Sequence, residues 1–302
     1  MDNNRICIIC RKVKNNSQFN IEHIIPESTG NKKLTINSLC KECNSKLGKK
    51  VDYEITNNII SELDRFTNKI KGKSGKIPNP FRKGKTMDGR VIYCDENLKP
   101  RLETIVEFDE NLKKYIVSAP SLEEGIKIIN KKLKRSGKAN LTDEQIKKIR
   151  DESKVKIKQP IMQITRETDL YKIEMGFIKI AYEFMYYKIG DKYLKDKQGR
   201  ILAEILNNYI YKNIESNLDS IIAELPYEKH KKTSENFKKL GEQLFGNESI
   251  HYIQIVEEIN KTSVFISLFS NFIYSIVVSN KSYNLNNAVC IMNAKNGEMN
   301  MC

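Results

Sequence analysis

Four cysteines in two pairs constrain this chain more than any other feature. Cys7-x2-Cys10 and Cys40-x2-Cys43 form two knuckles, 29 residues apart. A two-residue gap lets both sulfurs of a knuckle reach one tetrahedral Zn2+ at about 2.3 Å, and two knuckles complete a four-thiolate site. Such a site is closed to water and substrate, so the ion fastens a fold and other groups must do any chemistry. Cys94, Cys290 and Cys302 show no such spacing and read as ordinary thiols. In a reducing compartment, seven cysteines point to metal or free thiols rather than a disulfide framework.

The interval between the knuckles holds a dense polar run: Glu22-His23-Ile24-Ile25-Pro26, then Gly30 and Asn37, with Asn44 just past the last cysteine. Phe19 to Ile25 has strand character and ends at Pro26, which cannot continue a ladder. Residues 26–36 are rich in Ser, Thr, Gly and Asn, as a loop should be. A helix starting near Lys41 puts Asn44 in its first turn, and Gly48 is expected to stop that helix early. Taken in order, the knuckles, the Glu22-His23-x-x-Pro26 box and the Asn37-x2-Cys40-x2-Cys43-Asn44 run resemble the HNH endonuclease family. The likeness is to its zinc-stapled form, whose last motif residue is Asn rather than His, and it covers roughly residues 5–52.

The resemblance implies a ββα-metal fold and a role for each motif residue. His23 matches the general base, which takes a proton from the water that attacks a phosphodiester; an imidazole near its usual pKa of about 6.5 suits that task. Glu22 and Asn44 match the positions that hold a catalytic divalent ion, and their hard oxygens suit Mg2+ or Mn2+. Glu22 stands where Asp is more frequent. Asn37 matches the residue that pins the loop between the two strands by side-chain to backbone hydrogen bonds. Lys46, Lys49 and Lys50 follow on the helix as candidate phosphate contacts, with a solvated helix face as the other reading. Cleavage of this type leaves 5′-phosphate and 3′-hydroxyl ends.

Charge agrees with a polyanionic partner. The net charge is +14, although 42 of the 52 basic residues are Lys, and AT-biased coding accounts for part of that surplus. Distribution says more: residues 1–200 hold 43 basic against 27 acidic side chains, residues 201–302 hold 9 against 11. The segment 65–90 has nine basic residues against Asp88 alone, which makes Lys71, Lys73, Arg82, Lys83 and Lys85 candidate DNA contacts; a solvated linker is the competing reading.

The remaining pattern predicts an α+β protein: a small N-terminal zinc-bound domain over 1–70, a basic Gly/Pro linker over 71–90, and a larger mixed domain over 91–302 ending in an antiparallel sheet. Asp52 is expected to cap a helix running to about Ile70. Thr104 to Phe108 and Tyr115 to Val117 read as a hairpin. Leu122, Ile126, Ile129 and Leu133 mark an amphipathic helix, Thr142-x-x-Gln145 starts another, and 154–164 reads as a strand pair or an extended connection around Pro160. Helices are expected near 169–188, 199–213 and 216–225, and strands over 251–257, 263–269 and 272–278. The Tyr and Phe cluster around Phe177 and Tyr182 reads as core rather than a base-stacking face. His230 reads as a surface residue, and His251 opens a strand without a motif.

No secretory signal is visible, and the most apolar stretch, Val264 to Val278, is too short to span a bilayer, so a cytoplasmic protein is expected. Three functions fit. The leading one is a DNA endonuclease of restriction or phage-defence type, acting as a homodimer, with 91–302 selecting the target or answering a regulatory ligand or protein. The second is a zinc-stapled nucleic-acid-binding regulator without catalysis, which would have no need of Glu22-His23. The third is a zinc adaptor for protein contacts, which fits the basic charge less well.

Overall fold

A computed structural model describes residues 4–111, 114–154, 161–223, 225–285 and 288–301. Strands β1 (Asn4–Ile6) and β2 (Val13–Asn15) pair antiparallel, and their turn carries Cys7 and Cys10. Strands β3 (Phe19–His23) and β4 (Thr35–Cys40) pair from Phe19↔Cys40 to His23↔Thr35, with a β4 bulge of Asn37 and Ser38 opposite Ile21. β4 runs directly into α1 (Lys41–Leu47), which gives the ββα order that the motif implies.

Gly48 does not end this helix. Its φ of −56° and ψ of −38° are helical, and the chain continues through a π turn (Gly48–Asp52) into α2 (Tyr53–Asn57). One glycine costs a helix only about 1 kcal/mol, whereas Leu47, Val51 and Ile55, spaced four apart, are all fully buried. Asp52 therefore lies inside a helix and makes no cap bond. The break comes at Asn58, whose ψ of 160° ends α2 and whose Oδ1 accepts the Ser61 N–H to start α3 (Ile59–Thr67). Ile70 is buried, but beyond the helix.

Lys83–Thr86, inside the expected linker, forms strand β5, followed by β6 (Val91–Cys94) and β7 (Pro100–Leu102). β8 (Ile105–Asp109) and β9 (Lys114–Ser118) make the expected hairpin. Helices α4 (Leu122–Arg135) and α5 (Asp143–Glu152) follow, the latter with the capping box between Thr142 and Gln145. Of the expected connection over 154–164, residues 155–160 with Pro160 lie outside the described residues, and β10 (Met162–Gln163) pairs with β5. The four-strand sheet runs β10-β5-β6-β7.

The C-terminal part begins with α6 (Leu170–Ile189), α7 (Asp191–Leu194) and α8 (Lys197–Lys212). The expected helix at 216–225 does not form. Asn217 Oδ1 accepts the Asp219 N–H, a local turn that competes with helix, and β11 (Ile222–Ala223) follows; Glu224 lies outside the described residues. Helix α9 (Tyr227–Phe245) has no counterpart in the sequence reading, because it buries only Ser234, Phe237 and Gly241 and so carries little apolar periodicity. His230 lies on it, half-buried. Strands β12 (Ile250–Glu258), β13 (Lys261–Leu268), β14 (Phe272–Ser279), β15 (Val289–Asn293) and β16 (Met299–Met301) complete an antiparallel sheet in the order β11-β14-β13-β12-β15-β16. No helix among the described residues is long and apolar enough to cross a membrane.

Contacts divide the chain into two compact units, Met1–Pro78 with Thr168–Cys302, and Asn79–Glu167. This division differs from the linear one expected from composition. Gly and Pro content marks irregular chain, but it does not reveal which apolar faces meet. α6 is apolar nearly all round, and its buried residues join the N-terminal segment and the C-terminal sheet in one core. Gly176 permits the closest approach, since a Cβ there would lie 2.8 Å from Ile55 Cδ1. Phe177, Tyr182 and Phe184 are fully buried in this core.

His251 on β12 is also fully buried. Its Nε2 lies 2.9 Å from Thr29 O, and its Nδ1 accepts the Phe269 N–H at 3.4 Å, so Nε2 carries the proton. Burial lowers its pKa to about 4, against a smaller upward pull from Thr29. The unfolded residue takes a proton near pH 6.5, so stability falls as pH drops from there toward 4. The stability gap between wild type and His251→Gln should therefore narrow by about 2 kcal/mol from pH 7 to pH 5 in urea melts. A gap that stays constant would remove His251 as the source.

Candidate active site and zinc knuckles

The knuckles meet as their spacing requires. The sulfurs of Cys7, Cys10, Cys40 and Cys43 all lie within 4.8 Å of one another, the only cluster of metal-ligand type among the described residues. Tetrahedral Zn–S bonds of about 2.3 Å put sulfurs roughly 3.8 Å apart, so four thiolates in this arrangement fit zinc. Their surroundings suit the two surplus negative charges of such a site. Lys14 Nζ lies 3.3 Å from Cys40 Sγ, and the Cys40 N–H donates to Cys7 Sγ at 3.3 Å. Cys40 caps α1 and Cys43 sits in its first turn, where the helix dipole favours thiolate. Tyr211 Oη lies 3.4 Å from Cys43 Sγ. Cys94 and Cys290 stand apart from the cluster, and Cys302 lies outside the described residues.

Zinc held by this cluster would fix the start of α1, and α1 carries Asn44 back toward β3. The Asn44 amide nitrogen donates to Ile21 O at 3.0 Å and to Asn20 Oδ1 at 3.1 Å. Ile21, just before Glu22 and His23, faces the β4 bulge of Asn37 and Ser38. The side-chain amide therefore holds the stretch of β3 that aims the Glu-His pair, and its own Oδ1 accepts no hydrogen bond among the described residues. His23 is half-buried at the end of β3. Its pKa is lowered, chiefly by burial, which outweighs the opposing effect of Glu27; Lys179 and Lys73 lower it further. The imidazole is neutral at pH 7, the form a general base needs.

Residues 7–60 match the HNH endonuclease family model. Neither the curated proteins nor the solved structures gave a match to the chain. The match spans both knuckles, the Glu22-His23 pair and the helices through Asn58, so these residues make an N-terminal HNH domain, the domain type of nucleases.

The rest of the site departs from the simplest HNH picture. Glu22 is 5% exposed, and its Oε1 lies 2.5 Å from Nζ of Lys179, a fully buried residue of α6. Lys179 also reaches Asp52 at 3.2 Å and Glu183 at 3.3 Å, and donates to the carbonyls of His23 (2.8 Å) and Ile24 (3.4 Å). Burial raises the Glu22 pKa; Lys179 opposes that rise and Asp52 adds to it. Burial also works against the ammonium of Lys179, but Asp52, Glu183 and Glu22 together hold it above the ordinary lysine range. No sequence signal pairs Lys179 with Glu22, since 156 positions separate them from strand to helix.

Asn37 does not pin the loop between the strands. It is exposed, and it takes both guanidinium nitrogens of Arg5, at 2.6 Å on its backbone O and 3.0 Å on its Oδ1. Asn31 does that work. Fully buried, it donates to Ile25 O and Leu34 O, and its Oδ1 accepts the N–H groups of Lys33 and Leu34. The signal was there in the sequence: an Asn after Gly30 in a turn-rich loop, able to bond its own backbone two residues on. Gly30 has φ 109°, and a Cβ on it would lie 1.8 Å from Ala294 O, so only glycine lets the loop press on the end of β15.

The expected phosphate contacts scatter. Lys46 lies over the Tyr211 ring at 4.7 Å, and Lys50 donates to Asn213 Oδ1 at 2.5 Å. Lys49 and Lys71 are exposed, and Lys73 pairs with Glu27 at 3.5 Å. Arg82, Lys83 and Lys85 are exposed in the other unit.

Two outcomes are expected. Elemental analysis should find about one zinc per chain, lost in Cys40→Ser together with cooperative melting; a folded metal-free wild type would contradict the knuckle geometry. Lys179→Met leaves buried carboxylates unpaired and should cost about 3–5 kcal/mol in denaturant melts.

Proposed function

We propose that this chain is a metal-dependent DNA endonuclease in which His23 is the general base. The observation that carries the reading is a neutral, half-buried His23 on a strand end that Asn44 and Lys179 hold from two sides, inside a segment matching the HNH family. His23 would take the proton of a water as that water attacks the scissile phosphorus in line. With its backbone carbonyl bonded to Lys179, the residue is fixed before substrate arrives, which favours a single attack geometry.

The groups that would hold a catalytic Mg2+ or Mn2+ are the oxygens of Asn44 and Glu22. Asn44 offers Oδ1, since its nitrogen is already committed to β3. Glu22, clamped by Lys179, would add charge through water rather than by direct ligation. Bound there, such an ion offsets the negative charge that develops on the phosphorane and on the departing 3′ oxygen. Asn37, by contrast, acts at a distance from the reacting atoms through Arg5. We further propose a role in restriction or phage defence in the cytoplasm, action as a homodimer to cut both strands, and target selection or gating by the residues outside the HNH domain.

One observation favours the second reading, a zinc-stapled nucleic-acid-binding regulator without catalysis: Glu22 is committed to Lys179. The experiment that separates the two incubates plasmid and linear DNA with Mg2+ or Mn2+ and compares wild type with His23→Ala and Asn44→Ala. A nuclease should lose about 10²- to 10⁴-fold in rate with His23→Ala. Equal nicking by that variant would end the assignment. Because burial lowers the His23 pKa, the acid limb of the rate profile should fall below pH 6.5, so that cutting persists under mildly acidic conditions.

A further inference from the structure

A cavity of about 360 Å³ opens beside the loop that follows His23. Ser28 of that loop, Asp52 of the π turn, Asn57 of α2, Arg65 of α3, and Lys73 and Ser74 line it. Asp52 and Lys73 are also among the charges that act on His23, so the cavity borders the surroundings of the proposed base. Arg65 and Lys73 lie beyond residues 7–60, outside the segment that matches the HNH family.

Arg65 is the unusual group here. It is 5% exposed, and burial lowers its pKa more than the charge of Glu62, one turn back on α3, raises it. Its Nη1 donates to Thr56 O at 3.3 Å, and its Nε is buried without a partner. A buried guanidinium with an unpartnered nitrogen is under-satisfied, so its place on the wall of an open cavity suits an anion. Its planar fork of donors matches a phosphate oxygen pair. Gly72 passes directly over it, and a Cβ there would lie 2.6 Å from Arg65 Nη2. The adjoining Lys73 pairs with Glu27 through an exposed contact at 3.5 Å. Such a pair is weak and readily exchanged for a stronger anion. The acid in the lining, Asp52, is already matched by Lys179 at 3.2 Å.

We infer that Arg65 and Lys73 form a subsite for a backbone phosphate of the nucleic-acid substrate, next to the phosphate that His23 attacks. This inference rests on the endonuclease reading for its substrate, but its test does not require cleavage. Two positive groups on the wall of the cavity would receive a neighbouring phosphate and set the strand's position along the site. Both are therefore positioning residues.

The test is fluorescence anisotropy of a labelled DNA duplex with the zinc-loaded full chain, in buffer without Mg2+ or Mn2+, across a salt series. Arg65→Met and Lys73→Met should each weaken binding about tenfold and lower the slope of log affinity against log salt by about one. Arg65→Met should also keep or raise the melting temperature, because it removes a buried, incompletely hydrogen-bonded guanidinium, whereas a purely structural arginine would lower it. Should Arg65→Met fail to fold, the exposed Lys73→Met carries the test alone. Unchanged affinity and slope in Lys73→Met would overturn the inference, as would a wild type that binds no duplex. A melting-temperature rise with inorganic phosphate that vanishes in Arg65→Met, with duplex affinity unaffected, would assign the site to free phosphate and overturn the backbone role. Weakened binding in these variants alongside cleavage unaffected by His23→Ala would leave the subsite standing and remove only the base.

Discussion

The ammonium of Lys179 is the contact on which the rest of the site hangs. It has no exposed surface, and it is met by Glu22 from β3, Asp52 from the π turn and Glu183 one turn along its own helix. Three carboxylates around one lysine cannot all stay ionised in a dry interior, and burial pushes Glu183 well above the ordinary glutamate range. Two further donations, to the carbonyls of His23 and Ile24, satisfy backbone groups just where the β3–β4 ladder runs out. One side chain thus ties the end of the strand, the helix behind it and the core helix into a single geometry. Swapping such a cluster for apolar residues can preserve stability, but removing one member exposes the others to the full cost of an unpaired buried ion.

The HNH domain depends on the C-terminal part of the chain in other ways as well. A segment of some fifty residues buries too little surface to hold itself firmly, and zinc supplies only part of the deficit. The rest comes from docking. Tyr182 donates to Ile8 O at 2.6 Å within the first knuckle, and Arg11 of that knuckle reaches Tyr182, Leu194 and Gly199. On the other side, His251 bonds Thr29, and Gly30 lies against Ala294. The loop that follows the proposed base is thereby clamped on a six-strand sheet. Residues 168–302 are to a large degree the foundation of the HNH domain, and Asn79–Glu167 forms a unit of its own.

What the sequence disclosed follows from how each feature is encoded. The zinc knuckles, β3, β4, the start of α1 and the strands β12 to β14 were legible, because cysteine spacing and apolar periodicity are local. Local preference failed where burial overruled it: Gly48 stayed helical under the pull of Leu47, Val51 and Ile55, and Asp52 was drawn inward to Lys179 instead of capping. It failed in the opposite sense at α9, whose polar surface hid a 19-residue helix. The loop pin moved from Asn37 to Asn31 because a motif position specifies a residue type at an offset, whereas hydrogen bonding depends on which side chain is buried. Partners such as Lys179 and Glu22 were invisible, since no local rule relates a strand residue to a helix so distant in the chain.

The same contrast changes the meaning of the basic surplus. Exposed lysines cost a fold almost nothing, so they accumulate by coding bias as easily as by function, and their number says little about where an anion binds. Lys46 and Lys50 illustrate this, for the fold gives them neighbours in Tyr211 and Asn213. The run over 65–90 is divided between two units, with Arg65 to Lys76 in one and Arg82 to Arg90 in the other. A buried cation is different, because its retention has to be offset by something. For Lys179 the offset is internal and visible in three carboxylates. For Arg65 the charge of Glu62 only partly offsets burial, its Nε has no partner, and the open wall on which it lies leaves room for an anion from outside the chain. In a molecule of +14 net charge, one buried arginine with an unpartnered nitrogen carries more information about an anionic partner than the many lysines on its surface.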